Sequence, residues 1–214
     1  MSHREPLLQP VPILELRPTQ ITVGFREVQE KRRVWAERTA REGSEFLGKH
    51  MIPVLKGPKG RPYVIDHHHL ARALQEEGVE HIAINVVADL SHLSKDEFWV
   101  LCDNKGWCHP YDAAGVRRGM DAIPKGVAEL KDDPYRSLAG ELRRQGGFAK
   151  DTTPFSEFIW ADFMRRRIKP AAVAKDFDKA LVRALVLARS QAAQHLPGWC
   201  GPVAENDGGQ GRIA

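Results

Sequence analysis

Apolar residues in the first half of the chain fall into short runs separated by turn residues. Two such runs, residues 52–55 and 62–65, flank the glycine- and proline-rich residues 57–60. This arrangement predicts a β-hairpin, because glycine and proline favour the tight turn between two strands. A third strand is predicted over residues 81–87, where apolar and polar positions alternate, and an edge strand over residues 11–16.

Helical periodicity alternates with these runs. A helix is predicted over residues 25–48, where apolar positions share one face and charged residues fill the rest. A second helix is predicted over residues 67–77, because apolar residues recur on one side and Gly78 follows as a stop. Ser94 and Glu97 form a capping box that opens a third. Short strands mixed with helices in this way predict an α+β fold.

Beyond residue 112 the pattern predicts helices and loops only. Helices are expected over residues 134–144, after the cap-and-proline pair Thr153-Pro154, and over residues 171–195. We therefore predict four parts: a flexible arm (1–10), an α+β domain (11–112), a mostly helical C-terminal region (113–200) and a flexible tail (201–214).

Composition adds a broad class to this picture. Charged residues make up 28% of the chain and the mean hydropathy is −0.42, as in ordinary soluble proteins. No apolar run reaches the roughly 18 residues of a membrane span, and the first residues lack the apolar core of a signal peptide. Three cysteines without a close pair predict reduced thiols. A cytoplasmic protein without a membrane partner is expected, and its net charge of +4 suits phosphate-bearing partners without requiring them.

The most informative segment is the turn Asp66-His67-His68-His69, where a predicted strand runs directly into a helix. The first amides of a helix have no intrahelical acceptor and lie at its positive end, so a phosphate is favoured there. We predict that Asp66 caps the helix by accepting from the amide of His68 or His69. Imidazoles on the same turn are expected to donate hydrogen bonds to the anion.

Two other interpretations of the histidine triplet remain open. A metal site would use at most two of the histidines, because adjacent helical residues point about 100° apart. A further ligand would then come from Cys102, Cys108 or His109, at a spacing that matches no strong zinc pattern. Alternatively, the histidines are partly buried cap residues without any ligand.

The order of elements and this turn resemble the ParB/sulfiredoxin superfamily over residues 10–112. The turn is similar to Asp-Gly-His-His-Arg of free-serine kinases and to the Asp-His-His-His turn of ParB-like nucleases. Leu16-Arg17-Pro18-Thr19-Gln20 resembles the family's first box, and Asp103-Asn104-Lys105 resembles its Glu-Asn-x-x-Arg box. The resemblance implies a small mixed sheet with helices, and a nucleotide-phosphate site formed by a set of seven residues. These are Thr19, Gln20, His67, His68, His69, Asn104 and Lys105.

Several positions depart from the family pattern. His67 stands where the kinases have glycine, and Leu70 replaces their arginine, so one phosphate donor is missing. Gln20 lies near the position of the kinases' catalytic glutamate. No cysteine lies in the turn, which argues against sulfiredoxin chemistry, and no helix-turn-helix is evident after residue 112.

Two functions follow as expectations. The first is an enzyme that binds ATP, ADP or CTP with Mg²⁺, or another phosphorylated compound, and transfers or hydrolyses a phosphoryl or phosphodiester group. Asp66, His68 and His69 would be its catalytic residues. The second is a non-catalytic, nucleotide-gated module that binds DNA, as in partition proteins.

Overall fold

A five-stranded mixed sheet and a separate pair of short strands organise the computed structural model, which describes residues 10–42 and 51–202. The sheet has the order β1-β6-β4-β5-β2, and β3 pairs with β7. The strands are β1 (Pro10–Pro12), β2 (Arg17–Pro18), β3 (Thr22–Val23), β4 (Ile52–Lys56), β5 (Pro62–Val64), β6 (His81–Asp89) and β7 (Lys131–Asp132). The helices are α1 (Phe25–Glu42), α2 (His68–Glu76), α3 (Lys95–Asn104), α4 (Pro134–Arg144), α5 (Ser156–Arg165), α6 (Pro170–Lys175) and α7 (Phe177–Ala188).

The predicted hairpin, the third strand and the α+β class are confirmed. Strand β4 pairs antiparallel with β5, and parallel with β6 on its other side, which makes the sheet mixed. The capping box of α3 is also present, with Ser94 and Glu97 bonded to each other's backbone amides. The local signals that predict these elements are therefore sufficient in this half of the chain.

The predicted edge strand over residues 11–16 is shorter than expected. Only β1 forms, and the chain then turns into a single 3-10 turn, Ile13–Glu15. The amide of Ile13 donates to Glu80 O at 2.9 Å, and both Ile13 and Leu16 are buried. Because Pro12 has no amide hydrogen, it cannot continue the ladder as a donor.

Two predictions about the C-terminal helices are corrected. The single helix expected over residues 171–195 is divided into α6 and α7 at Asp176, whose side chain accepts from the amide of Lys179 at 3.0 Å. Thr153 does not cap α5, which begins at Ser156 after Phe155 in a left-handed conformation. The predicted arm, nearly all of the tail, and positions 43–48 of the first predicted helix lie outside the described residues.

The region after residue 112 contains β7 in addition to the predicted helices, and this short strand joins the two halves of the chain. It runs parallel to β3, and Asp132 Oδ1 accepts from the amide of Phe25 at the start of α1 at 2.8 Å. Gly24 lies so close to α4 that a Cβ there would be 2.6 Å from the amide nitrogen of Ser137. Helix α4 is therefore held against the beginning of α1 and near α2.

The core has parts in both halves of the chain. Side chains of the sheet, α1 and α2 form one cluster, and side chains of the sheet and α3 form a second. A third cluster lies around Trp160 between α4, α5 and α7. Among the described residues, no helix combines the length and apolar character needed to cross a membrane. The arrangement leaves the start of α2 facing α4 and α5 across a cleft.

Candidate functional site

Helix α2 begins without a side-chain cap. Its N-cap residue is His67, which has a left-handed backbone (φ 65°), and no side chain among the described residues accepts from its first turn. The predicted capping by Asp66 is therefore wrong: Asp66 Oδ1 accepts from the amide of His67 itself at 2.6 Å. As a result, the first amides of α2 stay available to an anion at the positive end of the helix.

His68 and His69 hold the preceding loop rather than pointing hydrogen-bond donors at a ligand. The amide of Thr19 donates to His68 Nε2 at 3.2 Å, and the amide of Gly24 donates to His69 Nε2 at 2.9 Å. A ring nitrogen that accepts from a backbone amide is unprotonated, so both rings are neutral. The two side chains thus fix both ends of the segment from Thr19 to Gly24. Both residues also line the cleft, and their contact with a phosphate stays a prediction.

Burial keeps these rings neutral. It lowers the pKa of His68 to about 3, with the neighbouring His69 and Arg136 acting in the same direction. Burial, followed by the charge of Arg136, also lowers the pKa of His69 well below its usual value. Glu27 Oε2 lies 3.6 Å from His69 Nε2, but that nitrogen already accepts from Gly24, so the contact is not an ion pair.

We expect His68→Ala to destabilise the protein, whereas His67→Gly should have little effect. The first change leaves the buried Thr19 amide without its acceptor and opens a cavity, which together cost about 2–4 kcal/mol of unfolding free energy. The second relieves a left-handed backbone that glycine adopts readily, and we expect a change within about 1 kcal/mol. Urea denaturation of both variants checks this, and equal losses would contradict the assigned role of His68.

The opposite wall of the cleft is formed by α4 and the start of α5. Arg136 is 5% exposed, and its guanidinium bonds to Glu157 at 3.4 Å, while its Nε has no acceptor among the described residues. Arg143 lies two turns further along α4 and pairs with the other carboxylate oxygen of Glu157 at 3.0 Å. Arginine stays charged even when buried, so the wall presents two fixed cations.

A row of rings holds Arg136 in place. Its guanidinium carbon lies 3.5 Å from the centroid of the Phe158 ring. On that ring packs His109, at 3.8 Å between centroids, and His109 in turn stacks on Tyr111 at 4.3 Å. Burial lowers the pKa of His109 to about 3, so it is a neutral member of this row. The row orients Arg136 without using up its hydrogen-bonding capacity.

Between the start of α2 and this wall lies a polar cavity of about 350 Å³. Four cations and three carboxylates line it. His68 and His69 also line it and add no charge, because burial lowers the pKa of both rings. The cations are Lys31, Arg136, Arg143 and Lys150, and the carboxylates are Glu27, Asp66 and Glu157. Together with the open helix start, this excess of positive charge favours an anion.

The described residues contain no group of three or more histidine, cysteine or acidic side chains that could hold a metal ion. The predicted zinc-type alternative for the histidine triplet therefore finds no support in their geometry. Mg²⁺ differs from zinc, because it is commonly bound by one or two carboxylates together with substrate phosphates. Asp66, which is exposed at the cleft, fits that arrangement only for a metal that arrives with a phosphate ligand.

The other predicted site residues are divided between the cleft and the surface. Gln20 is buried and lines the cleft, with its amide nitrogen donating to Thr22 O at 2.7 Å. Thr19 is buried behind it, where its hydroxyl donates to Val64 O at 2.7 Å. Asn104 and Lys105 lie at the exposed C-terminal end of α3 and are not among the residues that line the cavity.

Sequence reasoning missed the residues of the second wall, because it ended the functional domain at residue 112. One pattern could have revealed them. Arg136, Ala139 and Arg143 follow helical spacing, and Arg136 is the charged residue among the mostly apolar buried positions of α4. A charged residue on a buried face needs a partner or a role, and here it faces the histidine turn.

Comparison with protein-family models assigns this α+β chain to the ParB-like class. The chain belongs to the family described as "Putative ParB-like nuclease", whose model matches residues 9–166. That match continues past residue 112 and includes the wall formed by Arg136 and Arg143. No curated protein matches the sequence.

The solved structures that match this chain include the following two. The crystal structure of protein Atu1540 from Agrobacterium tumefaciens is 55% identical, with a TM-score of 0.86, and the match covers 93% of this chain and 99% of that one. The C-terminally truncated chromosome-partitioning protein ParB from Caulobacter crescentus, complexed to the centromeric parS site, is 16% identical, with a TM-score of 0.29. That match covers 85% of this chain and 98% of that one.

Proposed function

We propose that the cleft between the start of α2 and α4 binds the phosphate group of a nucleotide or another phosphorylated compound. The observation that carries this proposal is the state of Arg136. The guanidinium of Arg136 is buried, and its Nε has no acceptor among the described residues. It faces the start of α2, where the first amides also lack side-chain partners. Buried polar groups are nearly always paired, and a phosphate supplies acceptors for both.

The surrounding charges support an anion, because the cleft is lined by four cations and three carboxylates. Arg143 and Lys150 extend the positive surface on the side of α4, and Lys31 extends it on the side of α1. Mg²⁺ would be brought by the phosphates, with Asp66 as its protein carboxylate. ATP, ADP and CTP with Mg²⁺ are therefore the first ligands to test.

Phosphoryl transfer or hydrolysis is the catalytic part of the proposal. It needs a base near the bound phosphate, and Asp66, Glu27 and Glu157 line the same cavity. The neutral rings of His68 and His69 act in this proposal by positioning the loop that carries Gln20. The family's description adds phosphodiesters of nucleic acid to the substrates worth testing.

The experiment is a thermal-shift series on the full chain with pyrophosphate, tripolyphosphate, ATP, ADP, CTP and duplex DNA, each with and without Mg²⁺. A ligand that binds only the native state increases the free energy of unfolding by mass action, and the melting temperature rises as a result. At a concentration 100 times the dissociation constant, the gain is about 2.7 kcal/mol. We expect at least one polyphosphate compound to raise it. Release of inorganic phosphate and cleavage of DNA are measured in parallel. If none of these compounds shifts the melting temperature, the proposal is wrong.

A further inference from the structure

A second cavity of about 310 Å³ adjoins the phosphate cleft and shares part of its lining. Gln20, Asp66, His68, Arg136 and Glu157 line both spaces. The remaining lining of the second cavity comes from Ile65, Gly106, Pro154, Phe155, Ser156 and Phe158, so two aromatic side chains join the polar groups that both spaces share. A ligand held at the phosphate cleft can therefore extend into a compartment that also offers aromatic side chains.

We propose that this aromatic compartment binds the planar ring of a nucleoside phosphate, with Phe155 as the stacking residue. The inference rests on the phosphate site proposed above and narrows its ligand class. It distinguishes nucleotides from inorganic polyphosphates and from sugar phosphates, which carry no aromatic ring. Neither the sequence motifs nor the family's description points to Phe155.

The placement of Phe155 supports this role. Its ring is backed by other rings, with centroids 4.8 Å from His109 and 5.7 Å from Phe158, yet the residue remains only partly buried and lines the cavity. It occupies a left-handed backbone conformation (φ 58°) immediately before α5, which a bulky residue seldom adopts. A rigidly backed aromatic ring beside an open space is a surface on which a base can stack.

Polar groups at the edge of the compartment complete the fit. Gln20 and Ser156 line the same cavity and offer an amide and a hydroxyl to the edge of a heterocyclic ring. Gly106 has a positive φ of 63°, and a Cβ there would lie at ordinary contact distance, 3.6 Å, from the Cβ of Pro154. The compartment thus places the Phe155 ring beside several hydrogen-bonding groups, a combination that ligand sites commonly use.

The test compares Phe155→Asn with the wild-type protein, since asparagine tolerates a left-handed backbone but removes the ring. Dissociation constants are measured for ATP, CTP, tripolyphosphate and ribose 5-phosphate by calorimetry. We expect the wild type to bind one of the nucleotides at least about tenfold more tightly than tripolyphosphate, the range that base stacking provides. Phe155→Asn should lose that tenfold advantage.

Phe177→Asn is the matched control, because Phe177 is also partly buried at the start of a helix but lines a different cavity. It should keep the preference for the nucleotide. Phe155→Leu gives a second measurement should Phe155→Asn unfold, and it too should lose the preference. If nucleotides and tripolyphosphate bind equally to wild type, or if Phe155→Leu keeps the preference, the proposal that a base stacks on Phe155 is wrong. The proposed phosphate site is not affected by that result. If no phosphate compound binds, both proposals fail.

Discussion

Replacing Arg136 with methionine should abolish most of the binding of phosphate compounds. Hydrogen bonds between charged groups contribute about 1.5–3 kcal/mol each, so we expect the dissociation constant to rise roughly 10- to 150-fold. Methionine keeps an apolar side chain over the Phe158 ring, and Glu157 keeps its bond to Arg143. The variant should therefore remain folded, with the loss confined to the ligand.

Arg144→Met is the control for this experiment. Arg144 is an exposed arginine of the same helix, pairs with Glu141 at 2.7 Å and does not line the phosphate cleft. It should bind as the wild type does. Arg136→Lys retains a charge without the planar guanidinium, so an intermediate affinity is expected. Wild-type binding by Arg136→Met, measured by calorimetry, would show that the ligand lies elsewhere.

The position of Arg136 explains why only half of the site could be predicted from the sequence. The turn from Asp66 to His69 lies within one strand-helix unit, so local patterns reveal it. Arg136 reaches that turn only because β7 pairs with β3, residues more than a hundred positions apart. Two-residue strands carry too little periodicity to be recognised, and the long-range contact they make is not encoded in any local run.

The histidine triplet also shows which features the local sequence predicts and which depend on distant residues. The sequence indicates three imidazoles on one turn, and all three were expected at the phosphate. In the structure all three line the cleft, but their surroundings differ. His67 is exposed, whereas His68 and His69 accept hydrogen bonds from backbone amides of the loop that ends at Gly24. Which face of a helix start is buried depends on the segment packed against it, and that segment precedes the turn by about fifty residues.

Burial of three neutral histidines should make the protein lose stability as the pH falls below about 6.5. Burial lowers the pKa of His68 and of His109 to about 3, and lowers the pKa of His69 in the same direction. Below pH 6.5, the usual pKa of histidine, these histidines bind protons in the unfolded chain but stay unprotonated in the native chain. Unfolding therefore becomes more favourable as the pH falls. The loss of unfolding free energy approaches about 1.4 kcal/mol per pH unit for each histidine, or about 4 kcal/mol per pH unit for all three.

Urea denaturation between pH 7.5 and 5 measures this slope, to which Asp132 and Asp133 contribute with the opposite sign. Burial raises the pKa of both carboxyls, so at lower pH they bind protons earlier in the native state and act in the opposite direction. His109→Phe keeps a ring between Tyr111 and Phe158 and removes one titrating group, so it should reduce the slope by about a third. His81→Gln, at the exposed start of β6, is the control. If His109→Phe leaves the slope unchanged, His109 is protonated in the native state as readily as in the unfolded chain. The neutral state assigned to the ring behind Arg136 would then be wrong.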